Sequence, residues 1–82
     1  MKTLQTVKLH KAFGQRLQEA RKAKGFSQED LADLLGVSHV QVAFWEMGRN
    51  APRVEKLPAI AGALGVSLDW LFGIEGADKA AG

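Results

Sequence analysis

Apolar residues recur along the chain in short runs that a serine opens and a glycine closes. Phe26-Ser27 is followed by Leu31, Val37-Ser38 by Val42, and Val66-Ser67 by Leu71. In each, the serine hydroxyl can accept a hydrogen bond from an orphan N–H of a first helical turn. The apolar residue before it meets the one at the fourth helical position. Helices are therefore predicted to begin near Gln28, His39 and Leu68. Asp30, three residues after Ser27, and Gln41, three after Ser38, extend the first two signals into capping boxes. Gly25, Gly36, Gly48, Gly65 and Gly73 stand where left-handed caps would end the preceding helices.

Two further helices follow from periodicity. Leu9, Phe13, Leu17 and Ala20 recur at three- and four-residue spacing, which predicts an amphipathic helix from about Lys8 to Lys24. Leu57, Ile60, Ala61 and Leu64 form another stripe, introduced by the turn at Asn50-Ala51-Pro52. A proline in a first turn removes no intrahelical bond, so Pro58 fits a helix starting near Glu55. The pattern predicts an all-α fold, a compact five-helix bundle with no strand. Residues 8–73 form one domain, 1–7 are expected to be a flexible arm and 74–82 a flexible tail.

Composition narrows the class. Of 82 residues, 46% are hydrophobic and 24% charged, a globular balance, and cysteine is absent, so neither disulfides nor cysteine-based zinc sites are available. The longest largely apolar run, Leu57 to Val66, is about half of what a bilayer span needs, and Met1 to Phe13 contains no apolar secretion segment. No membrane association and a cytoplasmic location are expected. His10 and His39 are the only imidazoles, and Ser27, Ser38 and Ser67 are the only serines, all accounted for as caps. No catalytic site, metal or cofactor is predicted. The net charge is only +2, but Lys2, Lys8, Lys11, Arg16, Arg21, Lys22 and Lys24 face Glu19 alone in the first 26 residues. Such a basic end suits a polyanion such as DNA, or is an ordinary solvated helix face.

The second and third helices are joined only by Gly36-Val37-Ser38, which is helix-turn-helix spacing, although a helical corner without a DNA role has the same local chemistry. Ser27-Gln28-Glu29-Asp30-Leu31-Ala32, Leu35-Gly36-Val37-Ser38, Val42, Trp45-Glu46, Gly48-Arg49, Pro52 and Leu64-Gly65-Val66-Ser67-Leu68-Asp69-Trp70-Leu71 together resemble the phage repressor and Cro (XRE-type) helix-turn-helix family. The resemblance runs from about Phe13 to Gly73. It implies a lambda-repressor-like five-helix bundle that binds double-stranded operator DNA as a two-fold dimer and regulates transcription, usually as a repressor.

By position, the resemblance assigns base contacts to His39, Val40, Gln41, Ala43 and Phe44. It assigns backbone contacts to Gln28, Met47, Arg49, Asn50 and Arg53, with Gln28 also buttressing His39. It makes Arg21 and Glu46 a structural ion pair, and Arg53, Leu68 and Asp69 a dimer contact, with association weak until DNA strengthens it. Two recognition helices would then lie about 34 Å apart on a pseudo-palindromic site.

The chain departs from the family in one place. Val42, Trp45 and part of Glu46 fall on the inner side of the third helix, which leaves Val40, Ala43, Phe44 and Met47 outward. Relatives often carry polar residues there. The apolar stripe could pack on thymine methyl groups, with His39 and Gln41 supplying hydrogen bonds. It could instead dock an antitoxin-like or other protein partner, or be buried by oligomerisation. Gln41 could read a base or turn back to cap Ser38. No oligomerisation or sensing domain is expected after Gly73, so effector control is expected to come from another chain or from protein level alone.

Overall fold

The computed structural model describes residues 4–74 and 76–80. Five α-helices follow in order: α1 (Leu4–Ala23), α2 (Gln28–Leu35), α3 (His39–Glu46), α4 (Leu57–Leu64) and α5 (Leu68–Leu71). The three serine caps form as expected. Ser27, Ser38 and Ser67 have extended backbones, and their hydroxyls accept from the N–H groups of Asp30, Gln41 and Trp70.

Each helix contributes one buried stripe. Phe13, Leu17 and Ala20 of α1 meet Leu31, Ala32 and Leu35 of α2, Val42 and Trp45 of α3, Ile60 and Leu64 of α4, and Trp70 and Leu71 of α5. Leu17, Leu31, Val42, Ile60 and Leu71 are wholly excluded from solvent. At about 1.5–3 kcal/mol for each large apolar side chain fully buried, this shared core is what holds helices of four to eight residues that could not persist alone. Phe13 and Phe72 add a tilted ring pair with centroids 5.0 Å apart.

Three expectations about element boundaries are corrected. α1 begins at Leu4, one turn before Lys8. α4 begins at Leu57, preceded by a 3-10 turn over Val54–Lys56, with Pro58 inside its first turn. Residues 76–80 are not a loose tail. Ser67 N–H donates to Lys79 O at 2.8 Å, Ser67 Oγ donates to Asp78 O at 2.6 Å, and Val66 and Ala80 form an antiparallel bridge. Lys79 Nζ also stands 4.8 Å from the Trp70 ring, which the Arg16 guanidinium approaches to 4.6 Å. The strap is therefore tied by backbone bonds and by one indole shared between two cations. Residues 1–3, 75, 81 and 82 of the expected flexible segments lie outside the described residues. Among the described residues no helix is long and apolar enough to cross a membrane.

Candidate nucleic-acid interface

The α2–α3 unit is locked at both ends of its turn. At the start of α2, Asp30 accepts from the Ser27 N–H at 2.9 Å while Ser27 Oγ accepts from the Asp30 N–H at 3.0 Å. Those bonds favour the ionised carboxylate and hold Asp30 below its usual pKa of 3.8. Gly36 turns the chain at φ 69°, in the left-handed region that a side chain disfavours. Lys56 reaches from the 3-10 turn to donate to Leu35 O at 3.0 Å, satisfying a carbonyl that α2 leaves without a partner. Ser38 and Gln41 then exchange the second capping box, both bonds at 3.2 Å. Of the two roles open to Gln41, its side-chain carbonyl takes the cap, and only its Nε2 is directed elsewhere.

The inner face of α3 is anchored to α1 by charge and by close backbone approach. Arg21 Nε donates to Glu46 Oε2 at 2.6 Å and Nη2 to Oε1 at 3.1 Å, while Nη1 donates to Phe26 O at 2.7 Å. Both side chains are nearly buried, at 9% and 3% exposure, so the bidentate pair compensates charges that water no longer solvates. Gln28 Nε2 donates to the same Oε1 at 3.1 Å. This corrects one expectation: the Gln28 amide buttresses Glu46 on the inner side of α3, not His39. Gly14 makes the approach possible. A Cβ there would collide with Trp45 O and stand 2.6 Å from Glu46 O, so the backbones of α1 and α3 pack directly on each other.

The outer face carries the other predicted residues. His39, Val40, Gln41 and Met47 are exposed, Val40 at 46% and Met47 at 54%, whereas Ala43 and Phe44 are half-buried. The apolar stripe is thus uneven, open at its ends and partly covered in the middle. Glu46 is the only acid between Ser38 and Arg53, and its charge is taken up by Arg21. Arg49, beyond the Gly48 turn, folds back so that its guanidinium carbon lies 5.5 Å from the Phe44 ring centre.

Asn50 and Arg53 are exposed and line a cleft of about 250 Å³ together with Gln41, Trp45 and Lys56. The loop after α3 and the helix itself therefore share one surface. For the predicted dimer contact, Arg53 and Asp69 are exposed while Leu68 is half-buried against the core, and Trp70 and Leu71 belong to the core itself.

Sequence reasoning missed three residues. Lys11 lies against Gly48 beyond the end of α3, its Cγ 3.2 Å from where a Gly48 Cβ would stand. Lys56 and Gly14 escaped as well. Gly14 alone had a local signal, since an isolated glycine inside a helical pattern often marks a close packing approach. Among the described residues no group of three or more His, Asp or Glu could hold a metal ion.

Comparison with known proteins follows the same segments. Residues 17–71 match the model of the helix-turn-helix family HTH_3. The SPbeta prophage-derived HTH-type transcriptional regulator YonR of Bacillus subtilis is 39% identical over 60 residues, covering 73% of this chain. The chain spans 56% of YonR's length. Among solved structures, the P22 c2 repressor in complex with a synthetic operator is similar at a TM-score of 0.69 and 36% identity, covering 72% of this chain and 89% of that one. The restriction-modification controller protein C.AhdI of Aeromonas hydrophila is similar at 0.69 and 39% identity, over 76% and 94% of the two chains.

Proposed function

The chain belongs to the helix-turn-helix family, and on that premise we propose that it is a sequence-specific DNA-binding transcriptional regulator, acting as a repressor in the cytoplasm. α3 enters the major groove of a pseudo-palindromic operator. The observation that carries the reading is the division of α3. Its inner face is held by Val42, Trp45 and the Arg21–Glu46 pair, and its outer face presents His39, Val40 and Met47, with no acid but the paired Glu46 between Ser38 and Arg53. A duplex meets a rigid, non-acidic ridge there.

On this reading Val40 and Ala43 pack on thymine methyl groups, while His39 and the Gln41 Nε2 supply hydrogen bonds to base edges. Arg49, Asn50 and Arg53 lie along the sugar-phosphate backbone and set register, with Met47, Gln28 and, from α1, Lys11 beside them. Two copies occupy the two half-sites, associating weakly through the surface that includes Arg53, Leu68 and Asp69 and more tightly once on DNA. Nothing in this arrangement requires a cofactor or a catalytic group.

Selection of bound duplexes from a random pool, followed by a salt titration of the winners, tests the proposal. An enriched pseudo-palindrome whose binding falls steeply with salt is expected. A pool that stays random at low salt would contradict it.

A further inference from the structure

We propose that Phe44 is a shelf for Arg49, and hence a positioning residue for a phosphate contact rather than a reader of bases; this rests on the DNA-binding reading above. By spacing alone, Phe44 belongs with Val40 and Met47 on the outward stripe. The structure separates them. Val40 and Met47 are open to solvent, whereas Phe44 is half-buried and the Arg49 guanidinium stands over its ring at 5.5 Å.

The backbone builds this contact. α3 ends at Glu46, Gly48 two residues on reverses the chain at a φ of 74°, and the Arg49 N–H donates to Phe44 O at 3.0 Å. Residue 49 is thereby returned to the level of residue 44, so the stack is set by the helix end as well as by two flexible side chains. A side chain at residue 48 would meet Lys11, so that turn is constrained sterically as well as by its dihedral.

Stacking suits an arginine that must hold a phosphate. The aromatic face takes up the plane of the guanidinium, and the edge of that planar group is what matches a phosphate oxygen pair. An unsupported arginine loses rotamer freedom on binding; one already laid on a ring loses less. The end of α3 thus carries an arginine laid on an aromatic floor. Base discrimination by apolar contact then falls to Val40 and Ala43.

The test uses the whole chain and a panel of fluorescent duplexes: the sequence selected from the random pool and its single-base-pair variants, each titrated at several salt concentrations. Arg49→Ala is expected to weaken binding to every duplex alike and to lower the salt slope by about one. Phe44→Leu should also weaken all duplexes alike, by about two- to fivefold, and lower the slope in the same direction. Phe44→Trp, which keeps an aromatic floor, should retain the parental slope. The double variant Phe44→Leu/Arg49→Ala should bind no more weakly than Arg49→Ala alone, since both changes remove one contact. Thermal melting of each variant separates this from loss of fold, which would not leave the Phe44→Trp slope intact.

A Phe44→Leu variant that re-ranks the single-base-pair panel with an unchanged salt slope would overturn the shelf and return Phe44 to base readout. So would additive losses in the double variant. Failure of the parent chain to bind any duplex would instead remove the DNA-binding reading itself, and this inference with it.

Discussion

The two faces of α3 are eight residues of one helix under opposite constraints. The inner face is over-determined: Val42 is wholly buried, Trp45 is 4% exposed, and Glu46 receives donors from Arg21 and Gln28. The outer face is under-determined, with Val40 and Met47 in contact with little of the protein. The difference teaches that stability and recognition are carried by residues alternating within one turn. A ligand can therefore select side chains on the outside while the inside fixes their position to within the tolerance that groove readout needs.

The largest effect expected is on the inner side. Glu46→Ala leaves Arg21 charged and buried with only Phe26 O as a partner, and should lower stability by about 3–5 kcal/mol, read as a fall in the urea midpoint. An unchanged midpoint would show that the inner face does not depend on the pair. Gly14→Ala comes next. The added methyl meets carbonyls of Trp45 and Glu46, and forcing α1 and α3 apart should destabilise by about 1–3 kcal/mol. Because the shift tilts α3 as a unit, operator affinity should fall even in conditions where the variant stays folded.

On the outer side the signs separate. Val40→Ala should leave the unfolding free energy within about 0.5 kcal/mol of the parent and weaken operator binding by about 1–2 kcal/mol, at about 0.8 kcal/mol per buried methylene-sized group. A large stability loss from this change would dissolve the contrast between the faces.

The smallest effect concerns the cap of α2. The folded pKa of Asp30 is lowered below 3.8 by the Ser27 bonds, so its contribution is complete above that value and is lost as pH falls through the folded pKa. Asp30→Asn should therefore cost a little stability at neutral pH, where the ionised cap contributes fully, and the loss should shrink as pH falls through that acidic window. A loss that persisted undiminished in acid would show that the cap does not depend on the ionised carboxylate.

The contrast between the two halves of the molecule also explains what could be read in the sequence. The α2–α3 unit was legible because its determinants are local: Ser27 with Asp30, Ser38 with Gln41, and staples four residues long. The Arg21–Glu46 pair is not local, and it came from family resemblance. α1 starts a turn earlier than its apolar stripe from Leu9 predicts, because no glycine or proline between Leu4 and Lys8 stops helix propagation, which adds one hydrogen bond per residue. The strap at residues 76–80 was invisible for a different reason. Its partners are Val66, Ser67 and Trp70 in the sequence before it and Glu19 in α1, and no period or cap encodes such pairings. The exposed salt bridge from Lys79 to Glu19 adds little to it.

Within the candidate site, spacing correctly gave the side of α3 that faces outward but not how open each position is. Phe44 lies on that side and is nonetheless half-buried, and the Arg49 guanidinium stands over its ring, a contact created by a turn after the helix and not by the helix itself.

The most direct test of the account is an NMR measurement of contacts between the chain and a selected operator duplex. It predicts intermolecular NOEs from the methyl groups of Val40 and Ala43 to major-groove base protons, with none from the buried Val42. Contacts that instead arise from Val54 or Ile74, with the α3 methyls unperturbed, would contradict the placement of this helix in the groove.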